Sequence, residues 1–223
     1  AEQLHDMISR IGRGHFLDAR EWMERARTDR LGKDDLCLTF DDNLRCQYDV
    51  ALPVLQDLGL TGFWFVYTSP FEGVVEKLEL YRFFRSVRFT DFDHFFDSFL
   101  SHLEQSGEQP DVRQLITASA ARDYLSEYPF YSETDRQFRY LRDIHFGTVR
   151  YNAVMDSMIA ADGMDISDIS RMLWMGDAEL RDLQANGHIV GTHSHTHPTR
   201  IEMLGDEALR MEHERSHRLL ADI

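Results

Sequence analysis

Two short clusters carry side chains that could do chemistry: Asp41 with Asp42, and His193 with His195 and His197. The first pair closes a short apolar run, Leu36 to Phe40. A buried strand that ends in carboxylates delivers them to the edge where parallel α/β folds bind ligands. A simpler use for one of these aspartates is to cap the helix that follows. The second cluster sets alternating histidines after another apolar run, a pattern suited to a metal ion. In extended chain the alternating imidazoles share a face. If the chain turns at Thr196-His197-Pro198, His193 and His197 converge instead. The simpler reading is a solvated polar loop. Together the clusters offer more: one carboxylate and two imidazoles form a facial ligand set with open positions for water and substrate. Such a set suits Zn²⁺, Fe²⁺, Mn²⁺ or Co²⁺. A second carboxylate beside the ion can take a proton from water, the minimum machinery for hydrolysing an amide or ester.

The elements that must position these groups follow from periodicity. Phe16, Ala19, Trp22, Met23 and Ala26 recur at helical spacing, and Leu31 to Asp35 breaks the pattern. Leu36 to Phe40 reads as a buried strand, Asn43 to Leu58 as a helix capped by Gly59, and Gly62 to Tyr67 as the next buried strand. Strand, helix and strand at this spacing predict a βαβ unit with a parallel sheet. Residues 72–186 read as a mainly helical insertion. One apolar stripe there runs through Phe92, Phe95, Phe96, Phe99, Leu100 and Leu103, and another through Ile166, Ile169, Met172 and Leu173. Both stripes read as core packing. Glu179 to Asn186 closes the insertion as a helix capped by Gly187. Ile189 to Thr192 is a third strand, and Gly205 to Leu220 a final helix.

Composition narrows the partners. The 223 residues are 43% hydrophobic and carry a net charge of −15. That describes a folded domain whose surface repels nucleic acid and anionic membranes. No apolar run approaches the ~20 residues that cross a bilayer. The first residues, Ala1 to His5, lack the charged and apolar regions of a signal peptide. These features favour the cytoplasm. Cys37 and Cys46 are too few for a disulfide framework, and Cys37 reads as a buried thiol.

Thr39-Phe40-Asp41-Asp42 resembles the first motif of the NodB-type polysaccharide deacetylases, carbohydrate esterase family 4. His193-Ser194-His195-Thr196-His197-Pro198 is similar to their second motif, and Asn186 to Gly191 to the approach to it. Glu212 and Ser216, four apart in the last helix, fit what usually follows. The resemblance covers about residues 16–70 and 178–223. It implies an α/β fold, a NodB-like distorted (β/α) barrel. The core would comprise residues 1–71 and 187–223, with the helical insertion at 72–186. It implies Asp41 as general base, and Asp42, His193 and His197 as ligands of one divalent ion, zinc first and Co²⁺, Mn²⁺, Ni²⁺ or Fe²⁺ next. His195 falls at a variable position and is not a ligand. The implied substrate is an N-acetylated sugar or polysaccharide, and the implied reaction removes its acetyl group.

The sequence departs from the family pattern in three ways. Asn43 stands where Gly usually follows the aspartates, and Asn tolerates a left-handed backbone. The stretch between the motifs is long, as in deacetylases associated with surface-polysaccharide biosynthesis. Three strands are too few to close a barrel, and no counterpart of the family's later Arg and general-acid His precedes Ile223. The expectation is therefore a barrel incomplete at its C-terminal side. One alternative is a non-catalytic carbohydrate-binding or regulatory domain that retains the metal. Another is a zinc protease, because His213-Glu214-Arg215-Ser216-His217 matches H-E-x-x-H. That helix is strongly charged, and its simpler reading is a solvated face.

Overall fold

The structure is a computed structural model that describes residues 1–107, 111–198 and 201–223. The chain begins with helices α1 (Glu2–Ile11) and α2 (Ala19–Arg27), strand β1 (Leu38–Asp41), helix α3 (Leu52–Asp57) and strand β2 (Gly62–Val66). Among the described residues, seven α-helices follow: α4 (Lys77–Arg88), α5 (Phe92–Gln105), α6 (Val112–Thr117), α7 (Ser119–Asp123), α8 (Glu133–Tyr140), α9 (Gly147–Asp162) and α10 (Ile166–Leu173). Helix α11 (Asp177–Ala185), strand β3 (Ile189–Thr192) and helix α12 (Asp206–Ala221) complete it. The architecture is mixed α/β and mostly helical, and no closed barrel is formed among the described residues.

The three strands form one parallel sheet in the sequential order β1-β2-β3. β2 is central and buried along nearly its whole length, so it needs apolar residues on both faces. β1 alternates instead: Leu38 is buried, Thr39 and Asp41 are exposed. Gly191 of β3 lies opposite Phe65, where a Cβ would stand 3.0 Å from the aromatic ring. Only glycine lets the two strands close there. Gly59 and Gly187 take left-handed backbone, φ 60 and φ 87, as the cap reading requires.

Several boundaries differ from the sequence reading. Phe16 lies outside α2; it forms a parallel bridge to Leu36 and fills the core. The helix expected from Asn43 starts only at Arg45, because Asp42 and Asn43 form a turn. It then passes through a π-helical turn at Gln47–Ala51 into α3. Cys37 is half-buried rather than buried, and burial pushes its thiol pKa up. Met172 departs from its expected stripe and is exposed, while Ile169 and Leu173 are buried. α1 is polar in composition, yet its Ile8 is fully buried.

The chain forms two compact units: Ala1–Glu76 with Arg171–Ile223, and Lys77–Ser170. The first packs Trp64, Leu55, Leu180 and Leu183 with Ile8 and Phe16 around the sheet. Met175 and α11 belong to this core, although the sequence reading assigned them to the 72–186 insertion. The second unit is helical. Its Phe138 ring meets Phe92, Phe95 and Phe99 at centroid distances of 5.5, 5.3 and 5.4 Å. No helix among the described residues is long and apolar enough to cross a membrane.

His188, just before β3, ties this sheet together. Its Nδ1 accepts hydrogen bonds from the Gly62 amide at 3.0 Å and from Trp64 Nε1 at 3.1 Å. Both donors would be buried without an acceptor in His188→Ala, at about 1–3 kcal/mol each. A loss of about 2–4 kcal/mol in urea denaturation is the expected outcome. A loss below 0.5 kcal/mol would show that water replaces the imidazole. Burial also pushes the His188 pKa down. The unfolded imidazole, near 6.5, therefore takes a proton that the folded one refuses. This contribution to stability is complete above that value and is lost as pH falls below it.

Candidate metal centre

Asp42, His193 and His197 converge at the carboxyl edge of the sheet. One ligand atom from each lies within 4.8 Å of the others, the only such group of three or more found among the described residues. Asp42 Oδ1 is 3.1 Å from His197 Nε2 and 3.5 Å from His193 Nε2. Metal bonds of about 2.0–2.1 Å in a tetrahedral arrangement place ligand atoms about 3.3 Å apart. These separations and this donor set fit a first-row divalent ion. Hydrogen bonds from His193, then from His197, hold the Asp42 carboxyl well below the usual carboxylate range against the opposing effect of burial.

The backbone is bent to make this site. Asp42 (φ 75), Asn43 (φ 57), Ser194 (φ 65) and His197 (φ 54) all sit in the left-handed region. Each such residue costs about 1–3 kcal/mol unless its surroundings hold it, and such strain collects at functional sites. The surroundings do hold it. Asn43 is buried, and its carbonyl accepts from the Met175 amide at 3.0 Å. The His193 amide donates to Val66 O at 2.8 Å, which carries the β2–β3 ladder one residue past Thr192. The turn at Ser194 then brings His197 back, and the His197 amide donates to Ser194 Oγ at 3.1 Å. The two imidazole centroids end 5.2 Å apart.

His195 points elsewhere, into the protein. It is buried, with Nδ1 2.9 Å from Thr68 Oγ1 and Nε2 3.2 Å from Glu72. Burial, then nearby Arg215, push its pKa down, while Glu72 and Glu212 oppose this. The Glu72 carboxylate assigns the ring proton to Nε2, leaving Nδ1 to accept from Thr68. Glu212 of α12 grips the same loop: it accepts from the His195 amide at 2.8 Å, the Thr196 amide at 2.7 Å and Thr196 Oγ1 at 2.7 Å. Burial would raise the Glu212 pKa, but these hydrogen bonds outweigh it and hold the carboxyl below its ordinary value.

Asp41 is exposed at the end of β1 and stays outside the ligand group. Its carbonyl accepts from Gln47 Nε2 at 2.6 Å, which anchors the strand end beside the site. Tyr67, one residue past β2, stacks on His197 with centroids 4.8 Å apart and planes 9° from parallel; its hydroxyl accepts from Trp174 Nε1. Sequence reasoning missed Tyr67, Thr68, Glu72 and Trp174. Only the position of Tyr67 at the end of an aromatic strand hinted at it. His213, Glu214 and His217 lie exposed on α12. Among the described residues no third ligand joins those two histidines.

No family model, curated protein or solved structure matches this chain. The fold and site alone define its class: a parallel α/β unit with a candidate divalent-metal centre at the carboxyl edge of its sheet.

Proposed function

We propose that the chain is a metal-dependent deacetylase of N-acetylated sugars or polysaccharide, built as an arc of a NodB-like distorted barrel with a helical insertion. The observation that carries this reading is the convergence of Asp42, His193 and His197, with Asp41 adjacent in sequence but outside the ligand group. The sequential parallel order β1-β2-β3 is the order an arc of a (β/α) barrel requires. The motif resemblance supplies the substrate class.

A bound divalent ion supplies a Lewis acid that polarises an acyl oxygen and makes water a stronger acid near neutral pH. Asp42, His193 and His197 would hold it. Asp41 acts as general base, taking the proton of the water as its oxygen bonds to the acetyl carbon; the C–N bond then breaks, that proton passes to the leaving amine, and acetate is released. Glu212, Ser194 and Tyr67 keep the two histidines in register, so that little ordering remains when the ion arrives.

The test is acetate release from N-acetylglucosamine oligomers by protein loaded with zinc, and then with cobalt or manganese. Metal-dependent release is expected, and dialysis against a chelator should abolish it. Stoichiometric zinc with no acetate release would overturn the hydrolase reading and favour a carbohydrate-binding domain that retains its metal.

A further inference from the structure

A separate feature lies wholly within the Lys77–Ser170 unit. A cavity bounded by α4, α5, α8 and α9 is lined by four arginines, Arg82, Arg85, Arg139 and Arg142, with Asp135 as the carboxylate among its lining residues. Arg82 pairs with Glu79, and Arg142 with Asp143 at 2.5 Å. The other two guanidiniums are held differently. Arg85 lies over Phe92 and Phe95, 5.1 and 5.9 Å from their centroids, and Arg139 over Tyr131 at 4.1 Å. Neither donates a hydrogen bond to a described residue, and the buried Nε of Arg139 has no acceptor among them.

A guanidinium carries five donors in a rigid fork and cannot shed its charge. Arg85 and Arg139 are both half-buried, and leaving the buried Arg139 Nε without an acceptor is unfavourable, so the pair favours an acceptor from outside. The charge points the same way. Four guanidiniums and one carboxylate, Asp135, are among the lining residues of this cavity in a protein whose net charge is −15, and Glu79 and Asp143 pair with two of the four. Burial pushes the Arg85 pKa down; Tyr151 and Asp135 oppose this, and Arg82 and Arg139 add to it. Aromatic faces fix the planes of Arg85 and Arg139 in advance, which reduces the ordering cost of binding.

We propose that this cavity binds a small oxyanion group, a phosphate or a carboxylate, through Arg85 and Arg139. The site is independent of the deacetylase reading. Calorimetric titration of the metal-free protein tests it, so that no ion at Asp42 can take up the probe. The probes are inorganic phosphate and acetate at matched ionic strength, with chloride as the background anion. Saturable binding of at least one probe is expected, and whichever binds more tightly identifies the group. Arg85→Gln and Arg139→Gln are each expected to weaken it about tenfold or more. Should Arg85→Gln fail to fold by circular dichroism, Arg139→Gln alone decides. Absence of saturable binding, or unchanged affinity in a folded variant, would overturn the proposal and leave these arginines as packing on aromatic faces.

Discussion

Asp41→Asn is expected to keep the zinc content of the wild-type protein and to lower acetate release about 10²–10⁴-fold, the range over which a general base contributes. The side chain is exposed at the end of β1 and does not belong to the ligand group, so the substitution removes a proton acceptor without removing a donor to the ion. Asparagine matches the shape of aspartate, and the strand end stays anchored because Gln47 Nε2 bonds to the Asp41 carbonyl, which the substitution leaves intact. The fall should appear in kcat with little change in KM, since the lost interaction serves the transition state. Zinc content and kcat are measured on the same preparation. Full activity would remove Asp41 from the mechanism, and loss of zinc would make it a ligand.

The second large effect is on the ion itself. His193→Ala and Asp42→Asn are each expected to weaken zinc affinity by more than about 100-fold, because even the partners that support metal ligands cost 10–100-fold when removed. Competition against a chelating dye at fixed pH measures it. His195→Ala is the informative comparison. His195 faces Thr68 and Glu72 rather than the Asp42-His193-His197 group, so its loss should cost far less than that of His193. His217→Ala should change nothing, since that side chain lies exposed on α12. Zinc loss in His217→Ala, with retention in His193→Ala, would move the metal to the helix motif and end the deacetylase reading.

Local sequence determined the strands and their caps. The aromatic run at Phe63 to Val66 is apolar enough for a central parallel strand, and Gly59 and Gly187 stand where helices must end in a left-handed turn. These signals lie within a few residues of what they specify, so they survive without tertiary context. That a carboxylate of Asp41-Asp42 would meet histidines was legible for the same reason, as both clusters directly follow strands; the choice of Asp42 with His193 and His197 came from the motif resemblance. Tertiary structure decided which two of the three histidines meet. Extended chain would set His193 and His195 on one face; instead Ser194 and His197 adopt positive φ, which is uncommon outside glycine and not readable from local sequence. That conformation persists because Glu212 holds the loop amides from α12, and Tyr67 from beyond β2 stacks on His197. Those partners are distant in sequence, and their energy exists only once the chain is packed. The extent of the helical insertion was decided the same way. Leu180, Leu183 and Met175 carry an apolar pattern that suits either unit, and only burial beside Trp64 assigns them to the sheet.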